Sequence, residues 1–258
     1  MNRIELSSKA KAAVIHFGFS GLVGALSAGL VFSLWYPDAY GEIAGGWFLF
    51  GIVVGVDICI GPLLTFVVFD LQKPRKKLFR DLTIIVVIQI SAFIYGMYVI
   101  VLARPVFLVF EIDRFRVVAA VEIDHADLPK AKEGLQSLGF NGPKIIAART
   151  PKAGDSDYLH TMDLALQGLE ISQRPEYWIS YNEKRGEVLA RAQLISDLTK
   201  KSPDKVEIIN SSIKKTKLKE SDLKFLPLQG RNTSDWIVLL NASNADVVGF
   251  SHVDGFIE

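Results

Sequence analysis

The sequence predicts a membrane protein in which a three-helix transmembrane bundle is followed by a soluble α+β domain with a mixed or antiparallel sheet. Three observations lead to this fold class. Almost all the long apolar runs lie in residues 1–104, whereas residues 105–258 have the mixed composition of a water-soluble domain. The chain is 50% hydrophobic with a positive mean hydropathy, which fits a protein with membrane and soluble parts. The second part combines β-rich runs with amphipathic runs, as α+β domains do.

Three apolar stretches are each long enough to cross a bilayer, which takes roughly 20 apolar residues. They cover about residues 12–36, 43–69 and 82–103. We interpret the first as an uncleaved span, because its apolar run is longer than the roughly 7–15 residues of a signal-peptide core. The predicted domains are therefore a membrane anchor over residues 1–104, with a cytoplasmic basic loop over 70–81, and a soluble domain over 105–258.

Lysine and arginine placement predicts the orientation, since basic loops stay in the cytoplasm. Basic residues precede the first span and fill the 70–81 loop, whereas the loop between spans one and two has none. The N-terminus is therefore predicted to be cytoplasmic and residues 105–258 periplasmic. We interpret the basic loop as this topology signal rather than as a docking site. Four aromatic residues near the first outer loop are expected to form an interfacial belt: Trp35, Tyr36, Tyr40 and Trp47.

An aspartate, Asp57, lies in the middle of the second span. A carboxylate near the bilayer midplane costs roughly 2.5–3.5 kcal/mol on insertion scales, so its presence indicates a packing or functional role. Counting from the inner ends of the spans places Ser27 and Tyr95 at a similar depth and Gln89 roughly 8 Å lower. We therefore expect Ser27 or Tyr95 to be its partner. Three roles stay open for Asp57: an internal strut, a contact with a partner helix, or part of a proton or ion pathway.

Small residues at helical spacing surround Asp57 and predict close packing, because small side chains let helices approach each other in lipid. Span two has Gly51 and Gly55 one turn apart, then Gly61 one turn after Asp57. Pro62 removes one backbone hydrogen bond and is expected to kink the span. The small-residue stripes predict either a compact bundle or one face left for a foreign helix. The predicted helix-packing or partner seam is Gly51, Gly55, Asp57, Gly61, Pro62, Ser27 and Tyr95.

The soluble half predicts strands at both ends, with helices and one further strand between them. Pro105 to Ile123 is rich in β-branched and aromatic residues and predicts one strand or a hairpin directly after the last span. Helical patterns cover 127–138, 157–169, 183–200 and 205–213, with strands at 144–148, 225–228, 236–240 and 247–250. Three charged residues early in this half form a predicted membrane-proximal contact: Glu111, Asp113 and Arg114.

The sequence offers little support for catalysis. It contains none of the GxSxG, HExxH, Walker or GxGxxG motifs that mark hydrolases, zinc proteases and nucleotide-binding enzymes. The single cysteine, Cys59, cannot form an intrachain disulfide or a zinc box. Counting charged residues gives +3 for residues 1–104 and −2 for the remainder, so neither half is basic enough for nucleic acid. We therefore predict a protein that is not an enzyme and uses no cofactor or metal.

Several segments, taken together, resemble one family: Trp35-Tyr36-Pro37, Gly55-Val56-Asp57, Gly61-Pro62-Leu63-Leu64-Thr65, Lys73-Pro74-Arg75, Arg80-Asp81-Leu82, Arg104-Pro105-Val106 and Phe110-Glu111-Ile112-Asp113-Arg114-Phe115. They are similar to the type IV pilin accessory proteins of the TfpX/TfpZ family, closely in the membrane half and in the soluble half mainly at the first strand. The resemblance implies a multi-pass protein of the bacterial inner membrane that acts in type IV pilus biogenesis beside a particular major pilin. It supplies no catalytic residue.

The resemblance also implies which helix would bind at the predicted partner seam. Type IV pilins wait in the inner membrane before assembly with a long apolar helix, which has a glutamate near its free amino terminus. We expect the bundle to hold that helix in a chaperone-like role while the outer domain contacts the head of the pilin. A membrane-anchored sensor or scaffold whose periplasmic domain binds another ligand or protein is the alternative function, and an enzyme or transporter is the third.

Overall fold

The computed structural model of the chain describes residues 3–151, 158–231 and 233–256, without the side chains of residues 4, 160, 162 and 165. The helices are α1 (Arg3–Leu30), α2 (Tyr40–Ile43), α3 (Gly46–Val68), α4 (Arg75–Ala103), α5 (Tyr158–Leu166), α6 (Arg185–Arg191), α7 (Ile195–Lys201) and α8 (Val206–Thr216). The strands are β1 (Pro105–Glu111), β2 (Arg114–Ala119), β3 (Lys144–Ala148), β4 (Trp178–Ser180), β5 (Gln193–Leu194), β6 (Leu223–Gln229), β7 (Trp236–Asn241) and β8 (Val247–Ser251).

The chain forms two compact units. The first comprises the chain up to Pro37 together with Gly46–Ala103, and the second comprises Asp38–Gly45 together with the chain from Arg104 onward. The predicted roles of residues 1–104 as the anchor and of residues 105–258 as a periplasmic domain stay predictions.

The first unit contains three helices that are long and apolar enough to cross a membrane: Glu5–Trp35, Gly46–Val68 and Arg75–Ala103. The first of them is α1 extended by a π-helical turn over Val31–Trp35. Outward-facing side chains such as Phe19 and Phe48 are large, apolar and exposed. Helices that are apolar around most of their circumference fit a lipid environment. The predicted three-helix membrane part is confirmed.

Helix α3 is the centre of this bundle and packs against both α1 and α4. Glycines allow both contacts: a Cβ built on Gly24 of α1 would lie 2.8 Å from Val54, and one built on Gly96 of α4 would lie 2.5 Å from Val53. Because such distances leave no room for a side chain, these two glycines set the separation between the helices. Val53 and Val54 are successive residues, so α1 and α4 contact adjacent faces of α3.

Helix α4 begins at Arg75, inside the segment predicted to be a loop. Pro74 comes directly before it, and the N–H of Lys77 donates to the Pro74 carbonyl oxygen at 2.8 Å. Proline suits the start of a helix because its φ is already helical and its missing N–H would have no partner there. The span predicted over 82–103 is therefore the C-terminal part of a longer helix.

The second unit, which we call the sheet domain, is built on one mixed eight-stranded sheet. The strand order is β4-β3-β1-β2-β6-β7-β8, and β5 also pairs with β6. β1 runs parallel to β3 and β2 runs parallel to β6, while the other pairs are antiparallel. The predicted α+β domain with a mixed sheet is confirmed, and the three predicted closing strands are β6, β7 and β8.

β1 and β2 form the predicted hairpin, and β1 is buried along its whole length. Alternate side chains of β1 enter different hydrophobic clusters: Leu108 and Phe110 pack in one, and Phe107 and Val109 pack in the other. A continuous apolar run is expected for a strand that is covered on both faces. The turn places Ile112 at a positive φ of 54°.

Residues 38–45, which connect the first two spans and which we call the strap, fold as part of the sheet domain. Its Tyr40 and Ile43 side chains are 6% and 2% exposed and belong to the same cluster as Leu108 and Phe110. The Tyr40 ring packs edge-on against Phe250 of β8, with 5.1 Å between ring centres. The expectation that Tyr40 belongs to an interfacial belt was wrong, because this residue is part of the core of the sheet domain.

Two helices predicted for the sheet domain were wrong. Residues 127–138 hold only a 3₁₀ turn over His125–Lys130, because Pro129 cannot donate the backbone hydrogen bond that an α-helix needs. The helix predicted over 183–200 is two short helices, α6 and α7, separated by β5. Pairing of β5 with β6 overrides the helical periodicity of this stretch. The helix predicted over 157–169 is α5, although residue 157 lies outside the described residues.

Candidate functional site

Asp57 of α3 contacts Gln89 of α4. The Gln89 side-chain amide donates to the Asp57 carboxylate oxygen Oδ1 at 3.1 Å and to the Asp57 carbonyl oxygen at 3.2 Å. The predicted partners of Asp57 were wrong. The Ser27 hydroxyl donates to the Val23 carbonyl oxygen of its own helix at 2.8 Å, and Tyr95 is 68% exposed. Asp57 is therefore joined to the neighbouring helix by a glutamine.

The depth estimate failed because the ends of the helices lie elsewhere. Helix α4 begins at Arg75 rather than Leu82, so Gln89 is roughly 21 Å from the start of its helix at about 1.5 Å per residue. By the same rise, Asp57 is roughly 16 Å from the end of α3 at Val68. The difference of roughly 5 Å is within the reach of a glutamine side chain.

Gly61 makes room for the Gln89 side chain. It lies one helical turn after Asp57, on the same face of α3, and a Cβ built on it would be 2.6 Å from the Gln89 amide carbon. Pro62 lies inside α3, which continues as a helix to Val68. The bend expected at Pro62 stays a prediction. The structure thus brings together Asp57, Gly61 and a residue outside the predicted seam.

A second polar contact joins α3 to α1. The His16 ring nitrogen Nδ1 and the Thr65 hydroxyl oxygen are 2.6 Å apart, and Thr65 is 5% exposed. Sequence reasoning did not predict this pair. The sequence nevertheless contains a signal for such a pair. A histidine and a threonine occur in two successive apolar spans, and polar groups in lipid need hydrogen-bond partners. Both α1 and α4 are therefore held against α3 by close glycine contacts and by a polar contact.

Gly51 and Gly55 lie on a face of α3 that these contacts do not use. A Cβ built on either glycine would have no neighbouring atom within 4 Å. Successive residues of a helix are about 100° apart, so Gly55 follows Val54 around the helix in the direction away from Val53 and α4. Among the described residues, this glycine pair is uncovered. We call it the open face of α3, and its role as a seam stays a prediction.

The structure buries one of the three predicted membrane-proximal residues and leaves the other two paired at the surface. Glu111 is 4% exposed and accepts a hydrogen bond from the Ser172 backbone N–H at 3.2 Å. Asp113 and Arg114 form an exposed ion pair at 2.9 Å in the β1–β2 turn. Along β1 this end of the strand is roughly 20 Å from Pro105, at about 3.3 Å per residue. A contact of these residues with the membrane surface stays a prediction.

Glu111 should make the stability of the sheet domain depend on pH. Burial, the largest cause, raises the pKa of Glu111 above its ordinary value of 4.5. The folded state therefore holds the proton more tightly, and the contribution of Glu111 to stability falls as pH rises from the unfolded pKa through the folded one. We expect Glu111→Gln to gain stability relative to the native chain as pH rises above the ordinary glutamate pKa of 4.5, measured by thermal unfolding of the full chain in detergent.

Glu183 provides a control of opposite sign. It is exposed, and its hydrogen bond from Lys132 at 3.0 Å lowers its pKa. Its small contribution is present above the unfolded pKa and is lost as pH falls, so Glu183→Gln should lose relative stability as pH rises. Equal pH dependence of the Glu111→Gln variant and the native chain would contradict the first prediction.

The sheet domain has an open groove of about 800 Å³ between the start of β3 and the start of β8. Two ion pairs lie in its lining, Lys132 with Glu183 at 3.0 Å and Arg185 with Asp246 at 2.6 Å. The Tyr181 hydroxyl donates to the Ala245 carbonyl oxygen at 2.6 Å beside them. Sequence reasoning missed this groove, because its residues come from four separate segments. Within the described ranges, no group of three or more His, Cys, Asp or Glu residues is placed to hold a metal.

Comparison with known proteins gives three relatives, all from Dichelobacter nodosus. The fimbrial assembly protein of serogroup I is 35% identical over 257 residues and that of serogroup E1 is 34% identical over 257 residues, each covering 99% of both chains. The fimbrial assembly protein of serogroups C1 and C2 is 47% identical over 131 residues, which is 51% of this chain and all of that one.

The family described as fimbrial assembly protein FimB matches residues 4–45, which include nearly all of α1 and the whole strap. No solved structure matches the chain. The relatives of serogroups I and E1 align over nearly their whole length, so the likeness covers the membrane bundle and the sheet domain together. The chain therefore belongs to the family of fimbrial assembly proteins.

Proposed function

We propose that the protein is an inner-membrane accessory protein of the TfpX/TfpZ type, which binds a cognate major pilin before the pilin enters a type IV pilus. Membership of the fimbrial assembly family supports the role in assembly. The resemblance of the segments around Asp57, Arg75 and Arg104 supports the narrower family. Binding and release of a pilin need no covalent chemistry, so neither a catalytic group nor a cofactor is part of the proposal.

The open face of α3 is the observation that carries the proposal. In lipid, helices associate through close packing of small residues, and Gly-x-x-x-Gly pairs are a common contact. Helix α3 holds α1 and α4 through other positions, so Gly51 and Gly55 are left for a further helix. The apolar helix of a membrane-resident pilin has the chemistry that this face would accept, with the sheet domain contacting the pilin head.

Asp57 serves in this proposal as an internal strut. The Gln89 amide donates to it, and Gly61 shapes the space for that amide. These contacts lie on the α4 side of α3, whereas the open face lies beyond the α1 side. A contact of Asp57 with the pilin terminus would require the pilin helix to approach α3 from the side that α4 already occupies.

The proposed topology has a cytoplasmic N-terminus and a periplasmic sheet domain. Basic residues in the first turns of α1 and of α4 favour a cytoplasmic location for the start of both helices. A chain with three spans has its first connecting loop and its C-terminal part on the same side of the membrane. The strap, which is that first connecting loop, packs into the core of the sheet domain, so both lie on the same side of the membrane as three spans require.

Photo-cross-linking from the open face tests the proposal. Phe48 is 77% exposed and lies two turns before Gly55 on the same side of α3, so a photoreactive phenylalanine analogue there is a conservative probe. In cells that produce the cognate pilin, we expect this probe to capture the pilin. Leucine at both Gly51 and Gly55 should reduce capture about tenfold, the effect of losing about 1.4 kcal/mol of association free energy.

The same probe at Tyr98 of α4 is the matched control, since Tyr98 is 57% exposed on a different helix. It should capture little pilin. The Gly51→Leu and Gly55→Leu changes should leave the melting temperature of the bundle unchanged, because a Cβ built on either glycine meets no atom within 4 Å. Undiminished capture by the double variant would contradict a pilin seat on the open face.

The groove of the sheet domain favours the alternative function, a membrane-anchored scaffold whose outer domain binds another ligand or protein. Its ion pairs are exposed to different degrees and could exchange partners with a bound polar surface. Capture of a protein other than the pilin from a photoreactive group at Asn182, with no pilin captured from position 48, would favour this function.

A further inference from the structure

The two ends of the sheet face each other at the open groove of the sheet domain. The strand order runs from β4 to β8, so these strands are its ends. The hydroxyl of Tyr181, the residue after β4, donates to the Ala245 carbonyl oxygen just before β8 at 2.6 Å. The Arg185 guanidinium donates to the Asp246 carboxylate at 2.6 Å. The sheet therefore curls until side chains join its ends, and no pairing between described strands closes it there.

We call the space between residues 144–146 and 246–248 the strand gap, and one of its walls is the start of β8. Val247 and Val248 line the groove there. Among the described strands, β8 pairs only with β7. Helix α8 contacts the other half of β8, where the Ser212 and Ser251 hydroxyl oxygens are 3.0 Å apart. The start of β8 is therefore an edge, and an edge strand has a row of main-chain N–H and C=O groups without a strand partner.

The opposite wall of the strand gap is the start of β3. Strand β4 pairs with β3 only from Ile146 onward, so Lys144 and Ile145 extend past the end of β4 and pair with β1 alone. Ile145 and Val247 are both half-buried and pack against the same hydrophobic cluster. The strand gap thus has a strand edge on each side and apolar side chains between the two edges.

The start of β8 lacks two common protections of an edge strand. Natural edges exclude other chains with charged side chains and with proline, among other features. Residues 247–251 are Val-Val-Gly-Phe-Ser and contain neither. The charges around the groove are balanced, with three basic and three acidic residues in its lining: Lys132, Lys144, Arg185, Glu133, Glu183 and Asp246. The groove therefore favours a ligand without a large net charge.

We propose that the strand gap binds an extended peptide segment of another protein, which pairs with the start of β8 as an added strand. An extended chain has main-chain donors and acceptors along both sides, so it matches the two strand edges. Its side chains alternate between two faces, so every second one would contact Ile145 and Val247. Apolar residues at alternate positions, with uncharged or mixed-charge residues between them, are the sequence that this site selects.

This inference goes beyond pilin binding at the open face of α3, because it uses only contacts within the sheet domain. The two proposals can fail separately. Capture from position 48 reports on the open face, whereas peptide binding reports on β8.

Peptide binding to the full chain in detergent tests the strand gap. The probes are fluorescein-labelled peptides of about eight residues, with Val, Ile or Phe at alternate positions and Thr, Lys and Glu between them. We expect fluorescence anisotropy to find binders with dissociation constants of about 1–100 μM. Replacing alternate backbone amides of a binder by esters removes the donors along one side and keeps every side chain. One of the two alternate sets of esters should weaken binding about tenfold.

Binding by no peptide of the set at about 1 mM would overturn the proposal. Equal binding of the amide peptide and of both ester forms would also overturn it, since an added strand is held by its main chain.

Hydrogen exchange of the full chain locates the bound peptide. We expect exchange in residues 245–249 to slow when a binder saturates the protein. Strand β5 is the matched control, because it also pairs on one side only, with β6, and its Leu194 is 54% exposed. Exchange of β5 should stay unchanged. Slowing at β5 instead of β8, or unchanged exchange in residues 245–249, would contradict binding at the strand gap.

Discussion

Ile43→Ala is expected to destabilise the sheet domain by about 2–5 kcal/mol, although the residue lies between two membrane helices. Ile43 is 2% exposed and packs in the cluster that contains β1, β2 and β7 side chains. Its truncation would leave a cavity in that core, and a loss of this size is a large part of the 5–15 kcal/mol that typically stabilises a domain. Hydrogen exchange of the β1 and β7 amides in the full chain measures the effect.

Ile208→Ala is the control for that prediction. Ile208 is the same residue type in the same domain, but it is 39% exposed on α8, so its truncation should cost well under the Ile43 value. Equal protection of the β1 amides in the two variants would show that the strap contributes no more than a surface residue does.

Gly96→Leu is expected to destabilise the membrane bundle by about 1–3 kcal/mol through overpacking. Even a Cβ at this position would lie 2.5 Å from the Cγ1 atom of Val53. Valine has little rotamer freedom in a helix, so α4 would have to move away from α3. That movement should also separate Gln89 from Asp57. Thermal unfolding of the purified protein in detergent, followed by helix content, measures the loss.

Gly55→Leu is the matched control for Gly96→Leu. It adds the same side chain to the same bundle, where a Cβ meets nothing within 4 Å. Its melting temperature should stay near that of the native chain. A loss at Gly55 as large as the loss at Gly96 would show that the open face is covered, and would also weaken the proposed seat for the pilin helix.

The membrane helices and most strands could be predicted because their signals are local. Long apolar runs identify spans, and β-rich runs between turn residues identified β3, β6, β7 and β8. The split of the 183–200 helix could not be predicted in this way. Its helical periodicity continues through residues 193 and 194, and only their pairing with β6 turns them into a strand.

The candidate site was predicted in part for a similar reason. Asp57 and its neighbouring glycines stand out in an apolar run, but the identity of a partner depends on where the opposing helix begins. Leu82 is the first residue of the uninterrupted apolar stretch, whereas the helix already begins at Arg75. Charged residues in the first turns of α4 hid this start, and Gln89 was placed too low as a result.

The strap could not be predicted because its residues resemble an interfacial loop. Tyr40 beside Trp35 and Trp47 is the pattern of a membrane-surface belt. Nothing in residues 38–45 indicates the sheet that buries them, since that sheet is formed by a much later part of the chain. Only the tertiary structure shows that Tyr40 faces Phe250.

This arrangement has a consequence for biosynthesis. Roughly 200 residues separate the strap from β8, so a ribosome adding about 5–20 residues per second needs roughly 10–40 s to supply the missing strands. During that interval the side chains of Tyr40 and Ile43 stay exposed, because the strands that later bury them have not all been synthesised. The core around the strap is therefore completed only near the end of translation, and chains that terminate early would expose its apolar side chains to proteases and chaperones.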